Sequence, residues 1–525
     1  MSSGWKYAFA LSKEDVKNST PPGTVALVSH DPADVEHARD TIVKFPVPSS
    51  DPADPLNWAP WRKTALLLVA SLYAFVANYC SSAIAPALQI WYPNFPTEPK
   101  PYSTLTHLIA VNVLMLGASN IWWVPLSNWA GRRPVLIVAT LILTLCTMWC
   151  GLATSFDSLL AARFFQGVGG GAADTVAPVL IGDVYFVHER GRAMAVYTFF
   201  LAAGSIVGGI AGGYAAFQLG WAYNFWICTA LAGAVCLGTI FVVPETLYDR
   251  PAQVERASTP SDDSGSKKEG GAASHIQVAD AYRPFTFSRS LGFGPIRGNL
   301  ISLFFQPWRT LALPGTWVVM LHYAGLVGGI VTISVVGAQL VSMPPYLWGA
   351  SAGLINIGGL VGTALATVYT FLVSDARLKS QAKHDAHGLA EPEDRLPTMF
   401  PPLAIATGGF FVFGFCGQYP GGTRWVGLEV GFGMVAFGLM QAPSIGFNYL
   451  IDSYGHLAGD CFLIVTILRS IIAFAWTFFV SGWVTDKGTA EPFGIFGMLM
   501  GIFSLLTIPL WLYGKRMRIA RAHHQ

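Results

Sequence analysis

The sequence contains few charged residues. Only 12% of its 525 residues are charged, whereas 53% are hydrophobic and the mean hydropathy is +0.47. Soluble domains have about 25% charged residues, so this chain has too little charge to cover the surface of a soluble protein of its size. The deficit excludes an ordinary soluble domain, and we expect much of the surface to face lipid.

Cysteines are also few, and their spacing is not that of a disulfide framework. The seven cysteines are an odd number and nearly all lie inside apolar runs, which argues against a disulfide scaffold. Cys146 and Cys150 lie four residues apart on one helix face, yet no other cysteine or histidine nearby completes a zinc set. We therefore expect packing roles for the cysteines and no metal site.

The motifs of common catalytic and ATP-driven machinery are missing. No G-x-x-x-x-G-K-S/T loop is present, which argues against an ATP-driven pump, and no H-E-x-x-H or nucleophile-and-base set indicates an enzyme. The GVGGG run at 167–171 has no preceding strand and so lacks the context of a dinucleotide site. We expect no enzymatic activity and no cofactor, with the membrane potential and the proton gradient as energy sources.

Long hydrophobic runs, by contrast, recur from residue 64 onward. Twelve of them are long enough to cross a bilayer, and because they are continuous rather than alternating, only helices fit. The predicted spans 1 to 6 cover residues 64–90, 106–127, 134–154, 158–183, 192–217 and 223–243, and spans 7 to 12 cover 316–341, 347–373, 399–418, 424–451, 458–484 and 492–514. The predicted fold is all-α and membrane-embedded, with twelve transmembrane helices in two six-helix halves.

Polar stretches divide the chain further. Residues 1–62 form a polar tail without the features of a cleavable signal peptide, so we expect the first apolar helix to act as the targeting signal. The halves are residues 63–245 and 314–514, and residues 515–525 form a short second tail. Between the halves, residues 246–313 contain a linker of disordered composition and then a mixed apolar and basic segment, which predicts an interfacial helix. This is the layout of a transporter with pseudo-symmetric halves.

Lysine and arginine are distributed unequally between the two sides of the predicted bundle. One side has fourteen of them in its short loops and chain ends, and the other has three. The fourteen are Arg62, Lys63, Arg132, Arg133, Arg190, Arg192, Arg377, Lys379, Lys383, Arg395, Lys515, Arg516, Arg518 and Arg521, and the three are Lys100, Arg424 and Lys487. Positive charge marks the cytosolic side, so both termini and the linker are predicted to be cytosolic.

A tight turn with two arginines joins spans 2 and 3. The segment PLSNWAGRRP at 125–134 resembles the loop motif G-x-L-S/A-D-x-x-G-R-R/K of the major facilitator superfamily, with Val124 in place of the first glycine and Asn128 in place of the aspartate. The resemblance implies a gate in which loop arginines pair with acids and lock the two halves. Asp183, at the end of span 4, could pair with Arg132. The alternative is that Arg132 and Arg133 only anchor the topology.

Span 4 contains two charged residues inside an apolar run. Its segment RFFQGVGGGAADTVAP begins at Arg163 and resembles the superfamily motif R-x-x-Q-G. An intramembrane arginine is costly and usually functional. Asp174 follows eleven residues later, about three turns and about 16 Å along a helix, so both side chains are expected to face one interior cavity without pairing directly.

Asp174 is predicted to lie near the middle of the membrane. A carboxyl group in that place can exchange a proton near neutral pH and is a natural counter-ion for a cationic substrate. The alternative is a carboxyl group with a packing role only, satisfied by a neighbouring helix.

Span 5 contains a stripe of glycines in the run GSIVGGIAGGY. Gly204, Gly208 and Gly212 recur at a spacing of four, with Gly209 and Gly213 beside them, and such stripes let helix backbones approach closely. The run resembles the antiporter motif G-x-x-x-G-P-x-x-G-G of the superfamily, with Gly209 in place of the proline. We expect close helix packing here, and the resemblance favours antiport.

Further matches resemble the fungal branch of drug:proton antiporter-type carriers. They are DVYFVHERGRAMAVY, PETLYDR, EPEDRL and IDSYGHLAGDCF, and with the span pattern the resemblance covers roughly residues 55–515. Members of this branch move drugs, toxins and other secondary metabolites outward, and some relatives take up polyamines or cations.

Superfamily carriers line their cavity mainly with spans 1, 4, 7 and 10. The resemblance therefore implies that Asn78, Asp174, His322, Tyr323 and Gln441 are cavity residues. For His322, a satisfied structural role and a proton relay both remain open.

One further intramembrane charge stands apart from these cavity candidates. Arg469 in span 11 must find a partner or water, which the sequence does not name. Asp460, nine residues earlier, is expected on the opposite helix face.

The sequence thus predicts a proton-coupled carrier that works by alternating access and exports a small organic molecule. The alternatives are uptake of a cationic solute such as a polyamine and, more remotely, a transport-dead nutrient sensor, against which the short and featureless tails argue. The expected partners are a small-molecule substrate, protons and the lipid bilayer, with no nucleic acid. We expect a monomer in the plasma membrane.

Overall fold

The computed structural model describes residues 51–90, 99–248, 298–384 and 389–522, together with short stretches between residues 10 and 49. Helices make up nearly all of the described chain, and they are grouped as the hydrophobic runs predict. The expected all-α fold with twelve spans in two halves is confirmed. The face at which span 1 begins and span 12 ends is called the terminal face below.

Six spans form the N-terminal half. Their bounds are Pro60–Ser82 for span 1, which a 3-10 segment at Ala85–Ile90 follows, Tyr102–Leu105, His107–Ala118 and Asn120–Ala130 for span 2, Arg132–Leu152 for span 3, Phe156–Val184 for span 4, Val187–Gln218 for span 5 and Trp221–Val242 for span 6.

Six further spans form the C-terminal half, with more irregular starts. Their bounds are Pro314–Ser342 for span 7, Gly349–Asn356 and Ile357–His384 for span 8, Pro392–Met399 and Phe400–Gln418 for span 9, Arg424–Leu439, Ala442–Gly446 and Phe447–Tyr454 for span 10, Ala458–Lys487 for span 11, and Ala490–Leu505 and Thr507–Ala522 for span 12.

Span 4 differs from the others in composition. Among the described residues, eleven helices are long and apolar enough to cross a membrane, and span 4 is not one of them. Arg163, Gln166 and Asp174 lower its hydropathy, yet each of these side chains is buried within the protein. With 29 residues, the helix exceeds the roughly 20 that a bilayer requires. Span 4 is therefore long enough to cross, and its polar side chains face other helices of the protein rather than the surface.

Glycines with positive φ form the tight turns between neighbouring spans. Gly131, with φ of 107°, separates span 2 from span 3, and Gly220, with φ of 100°, separates span 5 from span 6. Other residues rarely adopt this backbone conformation. The adjacent spans can therefore reverse direction within one or two residues.

Span 10 is interrupted in the middle of its length. Its first helix ends at Leu439, and a π-helical segment at Ala442–Gly446 contains Pro443 before the second helix begins. Proline cannot donate a backbone hydrogen bond, and π-helical turns often occur at functional sites. The break lies beside the cavity described below, which Leu439 lines.

The glycines of span 5 lie against the backbone of span 1. A Cβ atom at Gly204 would lie 2.2 Å from the carbonyl oxygen of Phe75, and one at Gly212 would lie 2.0 Å from that of Ala83. Gly208 has a similar contact at 2.6 Å from the carbonyl oxygen of Tyr79. Larger side chains cannot fit at this helix interface without displacing a backbone.

The other two glycines of the stripe face the C-terminal half. A Cβ atom at Gly209 would lie 2.7 Å from the Asn356 amide nitrogen, and one at Gly213 would lie 3.3 Å from the carbonyl oxygen of Ala350. Both partners belong to the first segment of span 8. The stripe therefore packs within one half on one side and between the halves on the other.

The N-terminal tail contacts the loop before span 9. A strand at Val25–Ala26 pairs antiparallel with a strand at Leu389–Ala390, and the Thr24 hydroxyl donates a hydrogen bond of 3.0 Å to Glu391. A second pair joins Val28–Ser29 to Thr41–Ile42. These four two-residue strands were not predicted.

The linker prediction falls mostly on residues 249–297, which lie outside the described residues. The described end of the linker has a short helix at Leu300–Phe305, whose Asn299 cap accepts a hydrogen bond of 3.1 Å from the Ile301 amide. Ile301 and Phe305 are largely exposed. Apolar exposure of this kind fits a helix in the membrane interface, although that placement stays a prediction.

Candidate transport site

A buried ion pair joins the two halves of the protein. Arg469 on span 11 donates from Nη2 to the Asp174 carboxylate on span 4, and the two side chains are only 3% and 1% exposed. The sequence indicated both residues as intramembrane charges but did not pair them. Because separation of a buried ion pair leaves charges without compensation, this contact favours the present relative position of the two spans.

Tyr323 on span 7 completes the surroundings of Arg469. The guanidinium lies 4.7 Å from the centre of the Tyr323 ring, within cation–π distance. Asn78 on span 1 also lies near the Asp174 carboxylate. The site therefore combines residues of spans 1, 4, 7 and 11, and it brings together three of the predicted cavity residues.

Two further phenol groups face Asp174 from the N-terminal half. Tyr73 on span 1 donates a hydrogen bond of 2.5 Å to the carbonyl oxygen of Gly169, and Tyr197 on span 5 donates one of 2.7 Å to that of Ala173. Both tyrosines interact electrostatically with Asp174. They hold spans 1 and 5 against the helix that positions the carboxylate. Sequence reasoning missed them, because tyrosines within apolar runs resemble ordinary packing residues.

A cavity lies between the halves next to this pair. Arg469 and Asn78 contribute to its wall, whereas Asp174 and Tyr323, which were both predicted to be cavity residues, do not line it. The other lining residues, from both halves, are Ser81, Ser82, Ala85, Ile109, Val113, Leu116, Ser205, Val327, Ile330, Val331, Ser334, Val335 and Leu439. The wall is thus mostly aliphatic with several hydroxyl groups. Such a pocket suits a small molecule that is partly apolar.

Arg163 was expected to face the cavity, and the structure corrects this expectation. Its fully buried guanidinium does not face the cavity; it donates to the carbonyl oxygens of Cys80 and Ser81 at 2.7 and 2.6 Å, and to that of Leu108 at 3.1 Å. The end of span 1 leaves carbonyl groups without intrahelical partners, and Arg163 satisfies them. The residue therefore holds spans 1, 2 and 4 together.

His322 and Gln441 also face away from the cavity. The His322 Nε2 atom lies 2.8 Å from the carbonyl oxygen of Phe503 and 3.2 Å from the Thr507 hydroxyl, both on span 12. Gln441 exchanges hydrogen bonds of 3.2 and 3.4 Å with Thr370 on span 8. Both side chains form hydrogen bonds within the C-terminal half. The expectation that they line the cavity is therefore corrected by the helix faces on which they lie.

The loop between spans 2 and 3 forms a charged cluster at the terminal face. The Arg132 Nε atom lies 3.7 Å from the Asp183 carboxylate at the end of span 4, and the guanidinium also binds the Asn128 side chain. Asn128 thus contributes an acceptor although it has no charge. The Glu245 carboxylate accepts hydrogen bonds of 2.9 and 3.2 Å from the backbone amides of Arg132 and Arg133.

Arg133 binds the end of span 6. Its Nε and Nη2 atoms donate to the carbonyl oxygens of Val243 and Ile240 at 3.0 and 2.8 Å. The loop therefore ties spans 3 and 6 together. Glu245, within the PETLYDR segment, was not singled out from the sequence, although that segment resembles the fungal branch.

Ion pairs also join the two halves at the terminal face. Asp452 at the end of span 10 lies 3.6 Å from Arg190 of the N-terminal half and 3.4 Å from Arg395 at the start of span 9. All three side chains are buried or nearly so. Sequence reasoning noted the segments that contain these residues but did not connect them, because their contact depends on how the halves meet.

The last turns of span 12 bind the start of span 9. Arg518 donates to the two oxygens of Glu393 at 2.9 and 2.6 Å, and Lys515 lies 2.8 Å from Glu391. Burial favours the neutral form of Glu391, yet the hydrogen bonds from Lys515 and Arg518 outweigh it and hold the pKa of this carboxyl below its usual value. The cluster anchors the C-terminal end of the chain to the bundle.

Two six-helix halves around a central cavity, with a charge pair between them, define a helical membrane transporter. The chain belongs to the Major Facilitator Superfamily, whose family model matches residues 66–477. Its relatives include MFS-type transporters and an efflux pump of fungi, so the predicted resemblance to the fungal efflux-like branch is confirmed.

Three relatives cover most of the chain. An uncharacterized MFS-type transporter of Schizosaccharomyces pombe is 25% identical over 95% of this chain and 92% of its own length. The MFS-type transporter hepF of Aspergillus oryzae is 26% identical over 92% and 96% of the two chains. The efflux pump radE of Floropilus chiversii is 26% identical over 92% and 86%.

Two solved structures share the fold. The proton:xylose symporter XylE superposes with a TM-score of 0.58 at 16% identity, over 86% of this chain and 96% of that one. The human organic anion transporter MFSD10 superposes with a TM-score of 0.54 at 17% identity, over 86% and 100% of the two chains. At these identities the likeness supports the fold alone.

Proposed function

We propose that the protein is a proton-linked secondary transporter, which moves a small organic molecule outward by alternating access. The observation that supports this most strongly is the buried ion pair between Asp174 and Arg469, which joins the halves beside the cavity. Alternating access requires the halves to move against each other. The contact between Asp174 and Arg469 must therefore rearrange during transport, and the Asp174 carboxyl group can take up a proton.

Protonation of Asp174 changes the stability of this contact. The neutral carboxylic acid no longer attracts the guanidinium with a full charge, so Arg469 is free to bind another group or to move with its half. Loss of one charge from a buried pair typically costs about 3–5 kcal/mol, which is enough to shift the balance between two conformations. Proton uptake and the conformational cycle are thereby linked.

The terminal face of this conformation is closed by charge. Asp452 binds arginines of both halves, and Arg132 binds Asp183 at the neighbouring corner. We propose that this face is cytosolic, with both chain ends, because it has most of the positively charged loop residues. Release of these contacts then opens the cavity toward the cytosol.

Two observations support the proposed direction and kind of substrate. One relative is named an efflux pump, which supports outward transport. The cavity wall combines aliphatic side chains with hydroxyl groups, which supports a small organic molecule. No observation favours uptake of a cation as a second function, because Arg469 engages the Asp174 carboxylate and lines the cavity itself.

Proton movement in proteoliposomes tests the proposal. Liposomes that contain a pH-sensitive dye are exposed to benzenesulfonate, benzyltrimethylammonium or benzyl alcohol, none of which takes up a proton itself. The proposal predicts that at least one probe causes proton movement with the wild type. Asp174→Asn should abolish it. Asp157→Asn should not, because Asp157 is exposed in the first turn of the same helix.

Two results contradict the proposal. Either no probe moves protons with the wild-type protein, or Asp174→Asn moves them as fast as the wild type. Protein-free liposomes give the background in each case, and size-exclusion profiles of the variants show whether they fold.

A further inference from the structure

The charge that lines the cavity is positive. Among the described residues of its wall, Arg469 is the only charged one, and no carboxylate contributes to the wall. The polar remainder is neutral, namely Asn78, Ser81, Ser82, Ser205 and Ser334. No aromatic ring is part of the described wall either, so the stacking surface that often binds organic cations is missing there.

Arg469 also has unused hydrogen-bonding capacity. A guanidinium has five N–H donors, and the Arg469 Nε atom has no hydrogen-bond partner among the described residues although the side chain is only 3% exposed. The hydroxyl group of Tyr323, which is fully buried beside it, has no partner in the described part of the chain either. Buried donors without acceptors are unfavourable, so a ligand whose oxygen atoms reach these groups once Arg469 is released from Asp174 gains affinity.

We propose that the transported molecule is an amphipathic organic anion, whose carboxylate or sulfonate head binds Arg469 in place of Asp174. Its apolar body then lies along the aliphatic residues of spans 2 and 7, among them Ile109, Val113, Val327 and Ile330. This inference rests on the proposed function and adds the substrate class. In the substrate-free protein, the Asp174 carboxylate balances the charge of Arg469, and the acidic head of the substrate takes over that role from the cavity side.

The charge balance links the anion to a proton. The titratable and charged groups that face Asp174 are Tyr73 on span 1, Tyr197 on span 5, Tyr323 on span 7 and Arg469 on span 11. The phenols are neutral, so one positive charge would face two carboxylates if the anion bound while Asp174 stayed ionised. Such an excess of buried negative charge is unfavourable. A proton on the Asp174 carboxylate restores neutrality.

Proton and anion therefore bind together and cross the membrane together. The resemblance of the span 5 glycine stripe to the antiporter motif favours exchange of substrate against protons. The charges of this site instead favour co-transport of the anion with a proton. For an anion of charge minus one, the loaded carrier gains no net charge. Net flow then runs outward whenever the product of the proton and anion concentrations is higher inside.

Binding of three matched probes tests the substrate class. The intact protein in lipid nanodiscs is titrated with benzoate, benzyl alcohol and benzyltrimethylammonium, which share a ring and differ in charge. Benzoate should bind, and the cation should not. Because binding takes up one proton, the affinity for benzoate should rise about tenfold for each pH unit lowered, as long as Asp174 is ionised in the free protein.

Four variants separate the roles of the two charges. Arg469→Gln should abolish benzoate binding. Arg469→Lys keeps the positive charge, so it should weaken benzoate binding but keep the preference for the anion. The lysine variant tests the proposal even if Arg469→Gln fails to fold. Asp174→Asn should still bind benzoate, without the pH dependence. Arg424→Gln should behave as the wild type, since Arg424 binds only the carbonyl of Tyr419 among the described hydrogen bonds and lies at the other face.

The inference is overturned if benzyltrimethylammonium binds better than benzoate, if no probe binds, or if Asp174→Asn loses benzoate binding while folded. Its failure can be told apart from failure of the proposed function. If the cation alone drives proton movement that Asp174→Asn abolishes, the transport proposal stands and the anion inference fails. If Asp174→Asn moves protons normally, the proposed function fails whichever probe binds.

Discussion

Asp174 and Arg469 are 295 residues apart in the sequence, and they form a buried ion pair between the two halves of the protein. The pair is at the boundary of a cavity that Arg469 lines and Asp174 does not. Protonation of Asp174 therefore leaves the positive charge of Arg469 without its counter-charge at the cavity wall. A substrate can respond to this change without contacting Asp174.

Substitution of Arg163 should destabilise the fold rather than change substrate preference. Arg163→Met leaves the carbonyl groups of Cys80, Ser81 and Leu108 without their buried donor, and each lost hydrogen bond to a charged group is worth about 1.5–3 kcal/mol. Thermal unfolding in detergent should show a markedly lower Tm. A variant with wild-type Tm and altered substrate preference would instead place Arg163 in the transport site.

Larger side chains on the span 5 stripe should disrupt helix packing. Gly212→Val puts new atoms against the Ala83 backbone, where even a Cβ would lie 2.0 Å from the carbonyl oxygen, and overpacking of this kind costs about 1–3 kcal/mol or more. The yield of folded protein and its Tm should fall. Gly482→Ala is the matched control, because a Cβ atom at that helical glycine would meet no atom of another described segment within 4 Å and should be tolerated.

Removal of the Asp452 charge should loosen the terminal face. Asp452→Asn leaves Arg190 and Arg395 facing each other without the carboxylate between them, so the halves should separate there more often. Labelling of single cysteines introduced at this face should become several-fold faster. The control is Asp486→Asn, because Asp486 is exposed at the end of span 11 that lies away from the terminal face. Equal labelling rates in Asp452→Asn and the wild type would contradict the proposed gate.

The cluster at the end of span 12 should confer a stability that depends on pH. The pKa of Glu391 is below its usual value in the folded protein, so its contribution is present above the unfolded value of about 4.3 and is lost as the pH falls through the folded pKa. Glu391→Gln should lower Tm at neutral pH, and the difference from the wild type should shrink in acid. A difference that stays constant from neutral to acidic pH would contradict this account.

The sequence predicts the spans well, because a bilayer requires long apolar helices and few other arrangements satisfy their backbones. Span 4 was predicted at 158–183 and is found at Phe156–Val184. Span 9 was predicted from residue 399, whereas the structure adds a 3-10 segment from Pro392. Glu393 and Arg395 make this segment polar, and their burial depends on partners in spans 10 and 12 that hydropathy does not reveal.

The site is predicted only in part. Asp174 and Arg469 are both recognisable as costly intramembrane charges, but their pairing depends on how the two halves meet. His322 and Gln441 lie on spans that line the cavities of superfamily carriers, yet a span also has faces toward its neighbours, and these two residues lie there. Arg163 was assigned to the cavity by helical periodicity. The carbonyl groups that it satisfies become available only because span 1 ends beside it.

The number of protons taken up on ligand binding tests the central claim most directly. Calorimetric titration with benzoate at about pH 7.5, in buffers with different ionisation enthalpies, measures this number. The account predicts uptake of about one proton by the wild type and none by Asp174→Asn, with benzoate bound in both cases. Benzoate binding without proton uptake by the wild type, or equal uptake by Asp174→Asn, would contradict the linkage between Asp174 and Arg469.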